Sequence, residues 1–124
     1  MTKLYFFDTF AFFEIIEKNP KYFVYTQSPF VTSKLNLFEL YYNLLREGRE
    51  ELALELLDKC YPYALDFNKD VLVYAAQFKL LHVKRKLSMA DCIGYVMAKK
   101  FGIPFLTGDK EFASFENVEF VPRS

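Results

Sequence analysis

The stretch Lys3-Leu4-Tyr5-Phe6-Phe7-Asp8-Thr9 predicts how the rest of the chain is arranged. Its short apolar and aromatic run is typical of a strand buried on both faces, because a solvated face would require alternation with polar residues. Asp8 follows this strand directly. In open α/β folds, ligands bind outside the carboxyl ends of parallel strands, so the sequence predicts that Asp8 faces a binding site.

The composition is that of an ordered globular protein. The chain has 124 residues, 52% of them hydrophobic and 26% charged, which predicts one domain over residues 1–124. The sixteen basic and sixteen acidic residues cancel, so any contact with nucleic acid must be local. Cys60 and Cys92 form no spaced framework, and we expect no disulfide. The sequence shows neither a membrane-length apolar run nor a secretory signal, so we expect a cytoplasmic protein.

Strand-like and helix-like patterns alternate along the chain. The strand-like runs are residues 3–7, 29–32, 63–67, 103–107 and 118–121. Helical patterns separate them, the first beginning after Thr9, which is a candidate N-cap, and others following Ser33 and Asn68. The sequence does not decide the conformation of residues 21–27. The alternation predicts an α/β fold, a three-layer α/β/α sandwich around a parallel sheet.

Four carboxylates occupy positions at which an apolar residue would be easier to bury. Asp8 and Asp109 follow strand-like runs, Glu39 interrupts the apolar stripe of a helix, and Asp91 lies in a first helical turn. Parallel strands would bring Asp8 and Asp109 to the same edge of the sheet. Like charges so close raise one another's pKa unless a cation neutralises them, and oxygen ligands favour Mg²⁺ or Mn²⁺. The sequence therefore predicts a metal site of the kind that hydrolyses phosphodiesters.

The same four regions resemble the PIN-domain ribonucleases, and most closely the small toxin members called VapC. The similar pieces are Tyr5-Phe6-Phe7-Asp8-Thr9, Asn36-Leu37-Phe38-Glu39-Leu40, Leu87-Ser88-Met89-Ala90-Asp91-Cys92-Ile93 and Phe105-Leu106-Thr107-Gly108-Asp109. Each piece alone is a weak signal, whereas the ordered set covers nearly the whole chain. One departure is Asn43, at a position where many family members carry a small residue.

The resemblance implies a fold, a reaction and partners. It implies a five-stranded parallel sheet and Mg²⁺- or Mn²⁺-dependent cleavage of single-stranded or looped RNA. Asp8, Glu39, Asp91 and Asp109 would be the catalytic metal ligands, and Thr107 would help to organise them, with Thr9 as a second supporting residue. It also implies a homodimer and an antitoxin that inserts a peptide into a groove near the first helices.

Simpler interpretations exist for most of these residues. Ser88 and Asp91 fit a helix-capping arrangement, and Asp8 and Asp109 could likewise be cap or turn acids. Capping does not account for Glu39, which is costly to bury unless it is paired or metal-bound, although it could point into solvent. Four further acids near the expected site are expected to be solvent-exposed, although Glu111 could instead support a metal ligand: Glu14, Glu17, Glu111 and Glu116.

Other features suggest contacts with partners. The basic run Lys84-Arg85-Lys86 is a candidate RNA contact, although charged loops are more often simply solvated. Six aromatic residues near the N-terminus are candidates for a protein-binding surface unless neighbouring helices cover them: Phe10, Phe12, Phe13, Tyr22, Phe23 and Tyr25.

Two other functions compete with the nuclease hypothesis. A phosphorylation-controlled receiver domain shares the α/β pattern, but it requires a paired acid, a central phospho-acceptor and a late lysine that this sequence lacks. A non-catalytic PIN-like module that binds RNA or protein is compatible with the same residues, because a complete set of acids permits activity without proving it.

Overall fold

A computed structural model describes residues 3–124 and contains one sheet of five parallel strands in the order β3-β2-β1-β4-β5. The strands are β1 (Tyr5–Phe7), β2 (Phe30–Ser33), β3 (Ala64–Leu65), β4 (Phe105–Thr107) and β5 (Val118–Phe120). The helices are α1 (Thr9–Ile16), α2 (Lys34–Arg46), α3 (Glu50–Cys60), α4 (Lys69–Leu81) and α5 (Met89–Phe101). Short 3₁₀ helices cover Pro20–Gln27, Tyr61–Tyr63 and Lys110–Phe112.

The opening strand lies in the middle of the sheet, as its apolar sequence predicts. Phe6 pairs with Val31 of β2 and with Phe105 of β4, so β1 has a neighbour on each side. Phe6 and Phe7 point to opposite faces and are both buried, at 0% and 3% exposure. Because neither face of this strand meets water, the alternation expected of a half-exposed strand is absent.

Two separate apolar clusters cover the two faces of the sheet and make up the three layers. Phe6 belongs to a cluster with residues of α4 and α5, including Val71 and Met97. Phe7 belongs to a second cluster with residues of α1, α2 and α3, including Leu40 and Ala53. The predicted α/β/α sandwich with a parallel sheet is therefore confirmed.

Three local predictions need correction or completion. Residues 21–27, which the sequence left undecided, belong to a 3₁₀ helix capped by the side chain of Asn19. The third strand is shorter than the predicted 63–67: Tyr61–Tyr63, which includes Pro62, forms a 3₁₀ turn immediately before it, and the strand ends at Leu65. Thr9 is the first residue of α1 rather than its N-cap, and the N-cap position is occupied by Asp8.

The N-terminal aromatic residues are mostly covered by their neighbours. Tyr22, Phe12 and Tyr25 are 0%, 6% and 9% exposed, and Phe10 and Phe13 are half-buried. Only Phe23 of the six is largely exposed, at 68%. The other five pack in the cluster with Phe7, Leu37 and Leu40, as the simpler interpretation expected, and a protein-binding or dimer surface formed by some of the set stays a prediction for Phe23.

Two further properties concern the cysteines and the helices. Cys60 and Cys92 are both free thiols and both buried, as the absence of a disulfide framework predicted. Between residues 3 and 124, none of the helices combines the length and the apolar character that crossing a bilayer requires.

Candidate functional site

Asp8 occupies the N-cap position of α1 but does not cap the helix. Its side chain makes no capping hydrogen bond and is instead 1% exposed. The hydroxyl of Thr107 donates to its Oδ2 over 2.7 Å, and Asn36 Nδ2 lies 3.4 Å from its Oδ1. The pairing of Phe7 with Leu106 brings β1 and β4 together and so places Thr107 beside Asp8. The capping interpretation of Asp8 is therefore wrong.

Asn36 is the residue at this site that sequence reasoning missed. It is fully buried, and its amide donates to Thr9 Oγ1 over 3.1 Å as well as approaching Asp8. Its Oδ1 accepts from the hydroxyl of Ser33 over 2.6 Å, and that hydroxyl also caps α2. The available signal was a polar residue in the first turn of an apolar helix, three residues after the cap and three before Glu39.

A glycine of α5 makes room for this hydrogen-bonded group. A Cβ atom at Gly94 would lie 2.9 Å from Phe6 Cε1 and 3.0 Å from Asn36 Oδ1. Any larger residue would therefore push α5 away from the sheet at the point where Asn36 is buried. The close approach of α5 is also what carries Asp91 towards Asp8, since Asp91 lies three positions earlier in the same helix.

Asp91 has the capping role that the simpler interpretation gave it. Its Oδ2 accepts from Ser88 N over 2.8 Å while its own backbone N donates to Ser88 Oγ over 3.0 Å. The two bonds form a reciprocal capping box at the start of α5. Asp91 is nevertheless 9% exposed, which is low for a surface cap.

Asp109 and Glu39 lie half-buried at the rim of the site. Asp109 Oδ1 accepts from Glu111 N over 3.0 Å, so this acid caps a 3₁₀ turn. Its backbone N donates to Thr107 Oγ1 over 3.1 Å, and the single hydroxyl of Thr107 therefore connects Asp8 with Asp109. Glu39 Oε atoms make no hydrogen bond to any residue between 3 and 124.

Glycine is required between Thr107 and Asp109. A Cβ at Gly108 would collide with the Phe10 ring and with the carbonyl oxygen of Val121. Both are parts of the packed structure, and the carbonyl belongs to backbone that cannot turn aside. Gly108 thus lets the chain after β4 pass between α1 and the C-terminal segment, which fixes where Asp109 emerges.

The four acids act on one another electrostatically. Burial raises the pKa of Asp8 well above its usual value, and the negative charges of Asp91 and Glu39 raise it further against the opposing hydrogen bond from Thr107. Burial also raises the pKa of Asp91 to about 6, although bonds from Ser88 oppose this, and Glu39 and Asp109 add to the increase. The structure therefore brings all four predicted acids into one electrostatic neighbourhood.

Among residues 3–124, the four acids have no ion-pair partner. The ion pairs formed by residues 3–124 include none with Asp8, Glu39, Asp91 or Asp109. A group of carboxylates without a partner of opposite charge offers oxygen atoms as its metal ligands. Such a group suits a hard divalent cation such as Mg²⁺ or Mn²⁺. In the described part of the chain, however, no three His, Cys, Asp or Glu side chains lie close enough to hold one ion. The carboxylate oxygens are therefore of the right chemical type for a divalent cation, but the four side chains are too far apart in this structure to coordinate one ion together.

The three residues of the basic run predicted to contact RNA have different surroundings. Arg85 donates to the carbonyl of Glu111 over 2.7 Å, and its guanidinium lies 4.7 Å from the Phe115 ring centre. Arg85 therefore connects the loop after α4 to the segment after β4. Lys84 and Lys86 are exposed, and their contact with RNA stays a prediction.

Glu14 differs from the expectation that the additional acids are exposed. It is 2% exposed, accepts from Asn19 Nδ2 over 2.8 Å and forms a 3.0 Å ion pair with Arg123 Nε. Arg123 lies 109 residues away in the sequence, so no local pattern could reveal the pair. Glu14 and Arg123 also line an open cavity of about 660 Å³ to which none of the four acids contributes.

Comparisons with known proteins agree on the fold. A VapC20 toxin from Mycobacterium tuberculosis, described as cleaving the sarcin-ricin loop, has a TM-score of 0.74 at 20% identity, covering 92% of this chain and 98% of its own. VapBC2 from Rickettsia felis, bound to promoter DNA, gives a TM-score of 0.71 at 16% identity, covering 96% of this chain and 98% of its own. A toxin-antitoxin complex from Klebsiella pneumoniae gives 0.71 at 16% identity, covering 96% and 97%.

The sequence itself also matches a family, although no individual curated protein matches it. The matching family model is that of the PIN domain, and the match covers residues 5–118. It extends from the opening strand to the last strand and includes all four acids, which agrees with the resemblance found in the sequence. The chain therefore belongs to the PIN-domain family.

Proposed function

We propose that this protein is an Mg²⁺- or Mn²⁺-dependent endoribonuclease whose catalytic site is formed by Asp8, Glu39, Asp91 and Asp109. The observation that carries the proposal is the state of Asp8. It is 1% exposed, is surrounded by other acids and has no cationic partner among residues 3–124. A buried charge of this kind is costly, so the carboxyl group either takes up a proton, as its raised pKa favours in the metal-free protein, or is paired with a cation.

The acids would have different roles at such a site. A bound divalent ion would supply Lewis acidity and an activated water for phosphodiester hydrolysis. Thr107 and Asn36 orient the Asp8 carboxylate from opposite oxygens, so Asp8 is the pre-positioned ligand. Glu39 and Asp109 lie at the half-buried rim, where they can adjust to an entering ion and phosphate. By resemblance to the family, the products would carry 5′-phosphate and 3′-hydroxyl ends.

The comparisons support a more specific biological role. Several of the similar structures are toxins or toxin-antitoxin complexes, and one of the toxins is described as cleaving an RNA loop. We infer that this chain acts in the cytoplasm as the toxin of a toxin-antitoxin pair, cuts single-stranded or looped RNA, forms a homodimer and is controlled by an antitoxin. The relatives are 16–20% identical, so their sequences do not indicate which RNA is cut.

A second candidate function is a non-catalytic PIN-like module that binds RNA or protein. The specific observation in its favour is that Asp91 and Asp109 both serve as caps. In addition, no three acids among residues 3–124 approach closely enough to share an ion. On this alternative the acids would be retained for local structure, and the protein would bind RNA without cutting it.

Cleavage by purified variants tests the two functions against each other. We expect Asp8→Asn and Asp91→Asn each to reduce Mn²⁺-dependent cleavage of a pool of structured RNAs by at least about a hundredfold. Asp58→Asn, a matched change at an exposed acid of α3, should leave the rate unchanged. Circular dichroism would show that all three variants are folded.

Binding of the metal alone provides an independent measurement. We expect calorimetric titration of the wild-type protein with Mn²⁺ to register binding, and the signal to disappear in Asp8→Asn. Retained cleavage in the Asp8→Asn/Asp91→Asn double variant would refute the nuclease proposal. Absence of both Mn²⁺ binding and cleavage in the wild type would favour the non-catalytic module.

A further inference from the structure

One exposed row of side chains on helix α2, the ridge, combines basic and aromatic residues that have no role in the acid site. Lys34, Phe38, Tyr42 and Arg46 follow one another at intervals of four residues, so their side chains form a single row along the helix. All four are exposed, and the two aromatic side chains are 70% and 53% accessible. The row thus presents a cation, two aromatic rings and a second cation over roughly 18 Å of helix, taking 1.5 Å per residue.

The two rings are held in a defined arrangement. The planes of Phe38 and Tyr42 are nearly parallel, 5° apart, and their centres are 6.4 Å apart. The Arg46 guanidinium lies 5.7 Å from the Tyr42 ring centre. At the other end, Lys34 Nζ lies 5.6 Å from the ring centre of Tyr61. Phe38 and Tyr42 are therefore ordered with respect to each other, and Tyr42 and Tyr61 each have a cation over the ring.

The ridge borders the acid site. Glu39 lies next to Phe38 in sequence and three positions before Tyr42, which places it on the adjacent side of the same helical turns. Asn36, which supports Asp8, is on the side of Glu39 and is fully buried. The boundary between the buried acids and the exposed ridge therefore runs along α2 itself, with Glu39 on that boundary.

We propose that this ridge, Lys34-Phe38-Tyr42-Arg46, binds the unpaired strand of the RNA substrate beside the cleaved phosphodiester, with bases stacked on Phe38 and Tyr42 and phosphates near Lys34 and Arg46. The inference rests on the proposed nuclease function and deepens it by naming the surface that selects single-stranded RNA. Aromatic stacking is available to any unpaired base, and flanking cations follow the phosphate backbone. A paired base has no free face to offer, so this surface discriminates against duplex.

The charges around the ridge are compatible with RNA. Lys34 is paired with Asp66 over 3.2 Å, but the two side chains are 53% and 89% exposed. An exposed pair of this kind is weak and screened, so a phosphate can compete for the lysine. Glu39 is the acid next to the ridge, and a cation bound at the proposed site would offset its repulsion of phosphate.

A small hollow beside the ridge adds to the argument. It has a volume of about 220 Å³, lies between α2, α3 and the 3₁₀ turn at Tyr61–Tyr63, and has an almost entirely apolar surface to which Lys34 contributes the single basic side chain of the lining. Its lining residues are Lys34, Leu37, Phe38, Tyr41, Leu57 and Tyr61. Flat aromatic walls with one cation at the entrance suit a nucleobase attached to a phosphate better than an aliphatic side chain.

Binding of labelled RNA to an inactive protein tests the proposal. The assay uses Asp8→Asn protein in EDTA and measures fluorescence anisotropy with a short fluorescein-labelled single-stranded RNA. In this background we expect Phe38→Ala/Tyr42→Ala to raise the Kd at least about fivefold, because stacking contributes substantially for each base. Tyr74→Ala is the matched control, since Tyr74 is a 59% exposed tyrosine on α4, and it should leave the Kd unchanged.

Two further variants separate stacking from general hydrophobicity and charge. Phe38→Tyr/Tyr42→Phe keeps both rings and should bind like the parent, whereas Phe38→Leu/Tyr42→Leu keeps an apolar helix face and should bind as weakly as the alanine pair. Arg46→Ala should weaken binding in all sequences and reduce the slope of log K against log salt by about one. For a fluorescein-labelled RNA duplex, we expect the Kd of Phe38→Ala/Tyr42→Ala to equal that of the parent protein, because paired bases do not stack on the ridge.

The outcomes distinguish this inference from the nuclease proposal. An unchanged Kd in Phe38→Ala/Tyr42→Ala, or an equal loss in Tyr74→Ala, would overturn the ridge as an RNA surface, even if the wild type cleaves RNA. The stacking mode would also be overturned if the leucine pair binds the RNA like the parent, because apolar contact without aromatic rings would then account for the binding. Ridge-dependent binding without any cleavage by the wild type would support the ridge and refute only the nuclease.

Discussion

Asp8 and Glu14 lie at the two ends of the first helix region, and both are buried carboxylates, at 1% and 2% exposure. Glu14 has an ion pair with Arg123 and a hydrogen bond from Asn19. Asp8 has neutral donors, the hydroxyl of Thr107 and the amide of Asn36 among them, and the charges that act on its pKa are those of the acids Asp91 and Glu39. The comparison teaches that burial alone does not mark a functional acid. The distinguishing property is that the protein leaves the charge of Asp8 uncompensated.

This contrast also explains why only one of the two regions points to a cation. The negative charge of Glu14 is neutralised by Arg123, and both residues line the cavity beside them. The environment of Asp8 raises its pKa and extends through Asp91 and Glu39 to the solvent-accessible rim. A structural acid and a candidate metal ligand thus lie within one turn or two of the same helix and differ in their partners.

The largest expected effect on stability comes from replacing Asn36, whose amide faces Asp8, by an acid. Asn36→Asp replaces an amide donor with a carboxylate beside a buried acid, and leaving two such charges unpaired should destabilise the metal-free protein by about 3 kcal/mol at pH 7.5. Thermal unfolding measures this change. Asn43→Asp is the matched control, because Asn43 is half-buried on the same helix and its amide donates only to the carbonyl of Glu39. Equal destabilisation by both changes would contradict the role given to Asn36.

An intermediate effect should separate Asp8 from Glu14 directly. Asp8→Asn removes an uncompensated charge while keeping an oxygen for the Thr107 hydroxyl, so the Tm in EDTA at pH 7.5 should rise by a few degrees. Glu14→Gln removes the partner of Arg123 and should lower the Tm. Equal shifts in the same direction would show that the two acids are alike.

The pH dependence of stability follows from the same difference. Folding raises the pKa of Asp8 and raises that of Asp91 to about 6, so between the unfolded pKa near 4 and pH 6 the folded protein binds more protons than the unfolded chain. The metal-free wild type should therefore become more stable as pH falls from 7.5 to 5. The increase in Tm should be smaller in Asp8→Asn and retained in Glu14→Gln. A stability that falls over this interval would contradict the assignment.

The smallest expected effect concerns the cap of α5. Ser88→Ala removes half of the capping box and should cost about 1 kcal/mol in unfolding free energy. The Ser88 hydroxyl is one of the contacts that lower the pKa of Asp91, so its loss should also move the acidic limb of the pH–cleavage profile to higher pH, although the bond from the Ser88 backbone N to the Asp91 carboxylate is kept. Asn68→Ala removes the cap of α4 and is the control: it should cost similar stability without moving that limb. If the acidic limb moved in both variants, the movement would reflect the loss of stability and not the loss of a bond to Asp91.

Much of the fold was predictable because it depends on local patterns. The apolar run before Asp8, the spacing of Leu37, Leu40 and Leu44, and the caps Ser33 and Ser88 are sufficient to give the element order and the layers. Boundaries were less predictable, as at the shortened β3, because a proline-containing turn competes with strand pairing there. Each of the four acids stands out in the sequence against its local apolar or capping context, and their role as metal ligands stays a prediction.

The sequence by itself determined the order of strands and helices and the resemblance to the PIN-domain family, and it singled out the four acids as candidates, because these follow from propensity, periodicity and short motifs. Only the tertiary structure decided that Asp8 does not cap its helix, that Asn36 and Thr107 hold it, and that Arg123 neutralises Glu14. The physical reason is that these contacts join residues 28, 99 and 109 positions apart. Their partners are selected by strand register and helix packing, which no local pattern contains.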